Sequence, residues 1–409
     1  MHYFHYLDNR LSCEKIPLSE IAAEFGTPLY VYSKRTILRH LDRMQSAFKV
    51  IPHFICYALK ANSNLEILKI VKAQGCGADV VSGGELFLAL KAGIEPRKIV
   101  FAGVGKTEEE IRYALESDIL MLNVESEPEL RLIERIANQL NRVAPVSFRI
   151  NPGIDPASHP HLATSLKTTK FGLEEKEALK LYHRTSSSKH LEVVGIHMHL
   201  GSQIITLSPF YEGAKKLVTI YYALRSSGID LRYIDLGGGL GVPLGESDDV
   251  PTPDEYVSHL IPLFDNIDAT IIAEPGRCIM GNAGILLTKI LYLKRTSSKS
   301  FLVVDAGMND FVRPAFYSAK HQAWPVEKRV GEETEFDVVG PVCEASDYLA
   351  KDVPLTSPSA SDYLAIMTAG AYGYSMASNY NSRLRPAEVL VDGDDVTLIR
   401  ERERLDDLV

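Results

Sequence analysis

The sequence predicts an α/β protein with a (β/α)8 barrel over about residues 35–275 and a second, β-rich domain. Three observations carry this prediction: eight short apolar segments, a helix-start signal after several of them, and a change to strand-like segments and loops after residue 278. At about 100–200 residues per domain, the chain length of 409 residues allows two or three domains, or one large barrel with an appendage.

The eight segments are rich in β-branched or aromatic residues and lie between residues 53 and 275. Continuous apolar runs are typical of strands that are buried on both faces of a parallel sheet. The segments are HFICYALKA (53–61), ADVVS (78–82), KIVFAGV (98–104), ILMLNVE (119–125), PVSFRIN (145–151), EVVGIHMHL (192–200), YIDLG (233–237) and TIIAEP (270–275). Strands alternating with helices also build open doubly wound sheets, but eight repeats favour the closed barrel.

Five helix starts have a Ser or Thr followed three residues later by Glu. In such a capping box, the hydroxyl accepts a hydrogen bond from a first-turn N–H while the Glu side chain reaches back. The predicted boxes are Ser63–Glu66, Ser82–Glu85, Thr107–Glu110, Ser126–Glu129 and Thr252–Glu255. Four of the five directly follow a candidate strand, which supports the alternation of strands and helices.

The β-rich domain is predicted to comprise residues 276–409 together with residues 1–34. Its strand-like segments are LYVYS (29–33), FLVVDAG (301–307), EFDVVGPVC (335–343), YLAIMTAGAY (363–372) and AEVLVDGDDVTLIRER (387–402). The Asp-Gly pair in VDGDDV predicts a hairpin turn, because glycine readily adopts positive φ.

Composition excludes several functions. The net charge is −9 and no Lys/Arg cluster occurs, so neither a nucleic acid nor an anionic membrane is predicted as a partner. The first ten residues lack the pattern of a signal peptide, and no apolar run approaches the ~18–20 residues that span a bilayer. The five cysteines are scattered without a C-x-x-C, which predicts neither disulfides nor a zinc site. We expect a cytoplasmic enzyme.

Candidate active-site residues collect at the predicted carboxyl ends of the barrel strands, where such barrels place their active sites. Lys60 closes the first strand, and a desolvated lysine is a nucleophile for carbonyl compounds; a surface or salt-bridged lysine is the alternative. DLGGGLG (235–241) follows strand seven and EPGR (274–277) follows strand eight, the loops that often bind phosphate. The glycine run alone is equally compatible with a tight turn.

Two further features bear on chemistry. His197 and His199 lie on one face of strand six, as in some metallohydrolases, but the other strand ends offer no histidine, and we predict no metal site. In the second domain, Cys343 stands beside Glu344 and Asp347. Neighbouring anions disfavour a thiolate, so Cys343 suits a proton donor better than a nucleophile.

Taken together, these motifs resemble the diaminopimelate decarboxylase family, whose members belong to the fold-type III class that binds pyridoxal 5'-phosphate. The resemblance runs nearly from end to end of the chain. It rests on YALKAN, GADVVSGGEL (77–86), NPGID (151–155), TTKFG (168–172), HMHLGSQ (197–203), DLGGGLG, EPGR, DAGMNDFVRP (305–314), GPVCEASD (340–347) and AGAYG (369–373).

The resemblance implies a role for each residue toward the cofactor. Lys60 would bind it covalently, Glu274 would hold its ring nitrogen protonated, and His199 would stack on the ring. The phosphate would be bound by Ser202, Gly237, Gly238, Gly239, Gly276 and Tyr372, with Arg277 between cofactor and substrate. Cys343 would donate the proton that replaces CO2.

The implied reaction converts meso-2,6-diaminopimelate to L-lysine and CO2, the last step of lysine biosynthesis. The far end of this substrate carries both a carboxylate and an ammonium group. Arg277 and Arg313, with Tyr317, suit the carboxylate, and Glu344 suits the ammonium. Tyr372 is a further substrate-binding candidate. The resemblance also implies a homodimer in which Cys343 and Glu344 come from the neighbouring subunit. An ornithine- or arginine-type decarboxylase, a racemase and a catalytically inactive, binding homologue are the alternatives.

Overall fold

The computed structural model describes residues 2–156, 162, 164–166, 168–245 and 248–409. It divides into two compact units, which we call the barrel unit and the β unit. The barrel unit comprises Leu41–Gly241 and Asp249–Arg277, and the β unit comprises Met1–His40, Val242–Asp248 and Cys278–Val409. The predicted domain bounds, 35–275 and the remainder, stay a prediction.

The chain begins with four strands of the β unit. They are Phe4–Leu7 (β1), Arg10–Cys13 (β2), Ile16–Pro17 (β3) and Leu29–Ser33 (β4), with the helices Leu18–Phe25 (α1) and Lys34–Phe48 (α2) after β3 and β4. β1, β2 and β3 form an antiparallel sheet, whereas β4 is buried throughout and pairs with later strands of the β unit. The N-terminal strand predicted for this unit is therefore confirmed.

Eight parallel strands close the barrel. They are His53–Ala58 (β5), Gly77–Val80 (β6), Ile99–Phe101 (β7), Met121–Val124 (β8), Ala144–Arg149 (β9), Leu191–His197 (β10), Tyr233–Asp235 (β11) and Thr270–Ala273 (β12). Each strand pairs with the next, and β12 pairs with β5. The predicted (β/α)8 barrel is confirmed and the open sheet is excluded, because an open sheet would leave its two outer strands unpaired.

Seven helices alternate with the barrel strands in the described part of the chain. They are Leu65–Ala73 (α3), Gly83–Lys91 (α4), Glu108–Glu116 (α5), Glu127–Gln139 (α6), Glu175–Thr185 (α7), Ser208–Ser226 (α8) and Pro253–Leu260 (α9). None of the described helices combines the length and hydropathy needed to cross a bilayer.

The predicted helix caps are only partly correct. Thr107 and Thr252 form complete capping boxes. The hydroxyls of Ser82 and Ser126 accept from Glu85 and Glu129 as predicted, but these glutamates accept in turn from the residue before the cap. The box at Ser63 is wrong, because the side chain of Asn64 caps α3 instead. Asn is an equally good capping residue, and it stands one position nearer to the helix.

Eight strands and two short helices follow the barrel, and apart from Arg277 they belong to the β unit. They are Arg277–Met280 (α10), Gly284–Arg295 (β13), Ser300–Val304 (β14), Arg313–Tyr317 (α11), Ala323–Pro325 (β15), Glu333–Val339 (β16), Tyr348–Thr356 (β17), Tyr363–Ile366 (β18), Ala387–Asp392 (β19) and Asp395–Arg400 (β20). The main sheet has the order β17-β16-β14-β13-β4-β19-β20. β19 and β20 form the predicted hairpin, in which Gly393 has a φ of 65°.

Candidate active site

Hydrogen bonds join the carboxyl ends of four barrel strands. The Ala58 N–H donates to the Pro275 carbonyl (3.1 Å), and the Glu274 N–H donates to the Gly237 carbonyl (2.8 Å). The Met198 N–H donates to Asp235 at 3.0 Å. The segments after β5, β10, β11 and β12 therefore lie side by side, and they carry Lys60, His199, the glycine run and Glu274.

Lys60 lies in the turn directly after β5, and its Nζ forms a short ion pair with Asp79 Oδ2 on β6. Asp79 is fully buried, and burial together with the charge of Glu274 raises its pKa to about 6, although Lys60 opposes this shift. Burial also raises the pKa of Glu85 to about 7. Lys60 is thus ion-paired at the end of the barrel, and its role as a nucleophile stays a prediction.

The sequence did not single out Asp79 or Glu85, which lie beside Lys60 in the fold. Asp79 stands inside the apolar segment ADVVS, and a charged residue within a barrel strand is the signal that could have identified it. Glu85 was interpreted as a capping residue only, and its carboxylate does accept a hydrogen bond, from the Val81 N–H at 2.8 Å.

Glu274 lies between two histidines. Its Oε2 is 3.6 Å from His197 Nε2 and 3.7 Å from His199 Nδ1, and its side chain is 2% exposed. Burial opposes ionisation of Glu274, but the two neighbouring histidines, His197 above all, lower its pKa well below the usual value. We conclude that Glu274 is a buried carboxylate.

His199 is a neutral imidazole in this setting. Burial lowers its pKa to about 4, and the charges of Arg149 and Lys60 act in the same direction. Its Nδ1 accepts a hydrogen bond from the Gly238 N–H at 3.2 Å, so the longer approach to Glu274 is not a hydrogen bond while the ring is neutral. A neutral ring fixed by the backbone suits stacking on a flat ligand.

The glycine run packs too closely for any larger residue. A Cβ atom on Gly237 would lie 2.4 Å from the Met198 carbonyl oxygen, and one on Gly238 would lie 2.2 Å from that of Glu274. Gly239 has a φ of 113°, which disfavours other residues. The N–H groups of Gly237 and Gly238 donate to Asp235 and His199, so phosphate binding by these two glycines stays a prediction.

Ser202 and Arg277 meet at the same mouth of the barrel. Arg277 is 5% exposed, and its Nε and Nη2 donate to Ser202 Oγ at 3.2 and 2.9 Å. A Cβ atom on Gly276 would lie 3.0 Å from the side chains of Ala58 and Ala61, which flank Lys60. The EPGR turn is therefore held close to the lysine, and it places a cation and a hydroxyl where an anion can bind.

The two histidines of the H-x-H motif, His197 and His199, have different surroundings. The donor atoms of His197, Asp235 and Glu274 lie within 4.8 Å of one another, which is close enough to hold a small cation, but His199 is not in this set. It bonds Gly238 instead. The metal alternative was based on two histidines, and only His197 belongs to this set.

In the β unit, Arg313 and Tyr317 lie at opposite ends of α11. Arg313 is 2% exposed, its guanidinium carbon is 5.6 Å from the centroid of the Tyr317 ring, and its Nε donates to His321 Nε2 at 3.3 Å. This bond fixes the plane of the guanidinium group. An arginine fixed in this way can bind a carboxylate with two parallel hydrogen bonds.

Cys343 and Glu344 are exposed in the loop between β16 and β17 of the β unit. Asp347 anchors this loop, since its two carboxylate oxygens accept from the Met308 and Val342 N–H groups, both at 2.6 Å. The Cys343 N–H donates to Asn381 Oδ1 at 2.9 Å, and Glu344 accepts a short hydrogen bond from the Tyr380 hydroxyl. The two predicted substrate-side residues are thus presented on an ordered, exposed loop.

Tyr372, predicted to contact phosphate and substrate, has an unusual backbone. Its φ is 55°, a left-handed conformation that bulky residues rarely adopt. The next residue, Gly373, packs against the chain so closely that a Cβ atom would lie 2.3 Å from the Ala369 carbonyl oxygen. The contacts predicted for Tyr372 with phosphate and substrate stay a prediction.

The barrel site defines a class of protein. A lysine at the end of the first strand, a buried carboxylate, a neutral imidazole and a tight glycine turn fit a ring that carries an aldehyde, a basic nitrogen and a phosphate. Comparison with known protein families agrees with this class, because residues 34–281 match the family described as pyridoxal-dependent decarboxylase, pyridoxal binding domain.

The chain is similar over its full length to named relatives. It is 48% identical to the diaminopimelate decarboxylase of Aquifex aeolicus and 45% identical to that of Vibrio cholerae, covering 100% of this chain and 96% and 98% of theirs. The crystal structure of diaminopimelate decarboxylase from Helicobacter pylori complexed with L-lysine is 46% identical, with a TM-score of 0.92 over 96% of this chain and 98% of that one. The chain belongs to the diaminopimelate decarboxylase family of pyridoxal-dependent decarboxylases.

Proposed function

We propose that this protein uses pyridoxal 5'-phosphate to decarboxylate meso-2,6-diaminopimelate, giving L-lysine and CO2. The observation that carries the proposal is the convergence of Lys60, His199 and Glu274 at one end of the barrel, in a chain 48% identical to a diaminopimelate decarboxylase. When bound, the cofactor supplies a ring that accepts the electron pair left behind when CO2 departs.

The barrel residues prepare the site for this chemistry. Lys60 is the nucleophile that holds the cofactor, and Asp79 is its counterion. Glu274 keeps a proton on the ring nitrogen, a role that suits a carboxylate whose pKa is held low. His199 packs on the ring as a neutral imidazole, and Ser202, the glycine run, Gly276 and Tyr372 bind the phosphate.

The substrate-side residues of the β unit decide which amino acid is accepted. Arg313, together with Arg277 and Tyr317, binds the distal carboxylate, while Glu344 binds the distal ammonium group. Cys343 donates the proton that replaces CO2. A decarboxylase for ornithine or arginine has only a cation to recognise at the far end, so a buried arginine there favours diaminopimelate.

Substrate specificity can be measured by CO2 release from the diaminopimelate isomers, ornithine and arginine. We expect release from meso-diaminopimelate, with lysine as the product, and little from the two others. Faster turnover of ornithine or arginine than of meso-diaminopimelate would contradict the proposal. Bound cofactor without turnover of any of them would favour the inactive, binding homologue.

Arg313→Ala is expected to lower kcat/KM for diaminopimelate by at least tenfold. Removing one partner of a desolvated charge pair typically costs about 2–5 kcal/mol, and about 1.4 kcal/mol already corresponds to a factor of ten. Cofactor absorbance should be retained, because the cofactor is proposed to be held by the barrel. Arg329→Ala, a half-exposed arginine at the surface of the β unit, is the control. An unchanged kcat/KM in Arg313→Ala would remove it from the substrate site.

We further propose a homodimer that shares its active sites, because Cys343 and Glu344 are exposed rather than enclosed by their own chain. Mixing inactive Lys60→Ala subunits with inactive Cys343→Ala subunits should then restore activity. Random mixing in a two-fold dimer gives about a quarter of the wild-type activity, since half of the dimers carry one intact site. Hybrids that form but remain inactive would refute shared sites. We also propose that the protein is cytoplasmic, because its five cysteines are scattered without a pattern typical of disulfides.

A further inference from the structure

The barrel interior contains polar side chains to which the proposed chemistry gives no role. Asn123, Ser147, His197 and Asp235 are all at most 1% exposed. Both ring nitrogens of His197 and the Oε1 atom of Glu274 are buried without a hydrogen-bond partner among the described residues. Folded proteins bond nearly all of their buried polar atoms, so a group of exceptions in one place indicates a functional constraint.

His197 is held rigidly at this place. It ends β10 and is in register with Arg149 of β9 and Asp235 of β11. Its carbonyl accepts from the Ile150 N–H at 2.8 Å, while the Met198 N–H donates to Asp235. The backbone is thus bonded to both neighbouring strand ends, which places Nε2 at 3.6 Å from Glu274 Oε2.

Three buried carboxylates, those of Asp79, Asp235 and Glu274, lie near His197, and their pKa values shift in different directions. Burial and the charge of Glu274 raise the pKa of Asp235 well above its usual value, and the pKa of Asp79 is raised as well. Glu274 is the exception, because its pKa is lowered despite burial. The charge of His197 is the strongest of the influences that lower it. His197 also lowers the pKa of Asp79, but there it is a minor influence, whereas for Glu274, whose Oε2 lies 3.6 Å from His197 Nε2, it is the largest of the lowering influences.

We propose that His197 is a positioning residue: it fixes the Glu274 carboxylate from the barrel interior through Oε2 and leaves Oε1 for the ring nitrogen of the cofactor. This inference rests on the proposed function, in which Glu274 binds that nitrogen. It differs from the role of His199, which bonds the backbone of Gly238 and stacks on the ring.

The test is a double-mutant cycle on the holoenzyme with His197→Gln and Glu274→Gln. Losing a partner that orients a metal-binding residue typically costs about 10–100-fold, and we expect a fall of that size in kcat for His197→Gln, with KM little changed. If His197 acts through Glu274, the double variant is as slow as Glu274→Gln alone, because the interaction is already lost. The absorbance spectrum of bound cofactor in His197→Gln should move toward that of Glu274→Gln.

Ser147→Ala is the matched control, because Ser147 is an equally buried polar residue of the barrel interior. It should leave kcat and the spectrum unchanged. His197→Asn, which also removes the imidazole, serves as the second variant if His197→Gln does not fold. Losses that multiply in the double variant, with an unshifted spectrum in His197→Gln, would overturn the proposal and leave His197 as a core residue.

Two other results can be distinguished from a failure of the positioning role. Activity that is lost on chelation and restored by Mg²⁺ would assign His197 to a cation site with Asp235 and Glu274, and would overturn the positioning role. A wild-type protein that binds the cofactor but releases no CO2 from diaminopimelate would refute the proposed function. The spectral comparison of the variants would still test whether His197 acts on Glu274.

Discussion

Replacing Lys60 by alanine should abolish essentially all turnover and the covalent attachment of the cofactor. Lys60 is held at the barrel site by its ion pair with Asp79. The buried Lys106, in contrast, is bound by two backbone carbonyls and by Glu129. Borohydride reduction followed by peptide mass spectrometry measures the attachment directly. In the wild type, the reduced cofactor should be found on the peptide that contains Lys60.

Two further variants separate chemistry from folding. Lys60→Arg keeps a positive charge opposite the buried Asp79, so it should fold well yet remain inactive, because a guanidinium is not a nucleophile at neutral pH. Lys69→Ala, at an exposed lysine of α3, should behave as wild type. Cofactor that is still covalently trapped in Lys60→Ala would show that a different lysine holds it.

Replacing Glu274 by glutamine should lower kcat by about 10²–10³-fold, the typical cost of removing one preorganised electrostatic interaction. Glutamine keeps the shape of the side chain, but it has no negative charge with which to hold the proton on the ring nitrogen. The cofactor should still bind, which its absorbance reports independently of turnover.

The charge-specific part of this effect can be isolated. Glu109→Gln makes the same chemical change at an exposed position of α5 and should leave kcat unaltered. A Glu274→Gln enzyme that contains its cofactor and keeps the wild-type kcat would exclude Glu274 from the electron-accepting machinery. Loss of cofactor binding instead would mean that Glu274 contributes affinity rather than rate.

The barrel could be predicted from the sequence because its signals are local and repeated. Eight apolar segments coincide with β5 to β12, and the caps at Thr107 and Thr252 depend on residues within three positions of each other. Where two local signals competed, as at Ser63 and Asn64, the sequence alone could not rank them. The motifs of the chain also determined its family, since their order is independent of geometry.

Only the tertiary structure decided how these residues act on one another. Lys60 and Asp79 are 19 residues apart and Ser202 and Arg277 are 75 apart, yet each pair is in contact because adjacent strand ends meet at one end of a closed barrel. The neutral state of His199 and the difference between Glu274 and the other buried carboxylates depend on burial and on neighbouring charges. The sequence by itself indicated which residues to expect at the strand ends, although it did not single out Asp79 or Glu85. Their ionisation and pairing were decided by the fold, because desolvation and Coulomb interactions depend on distances in space.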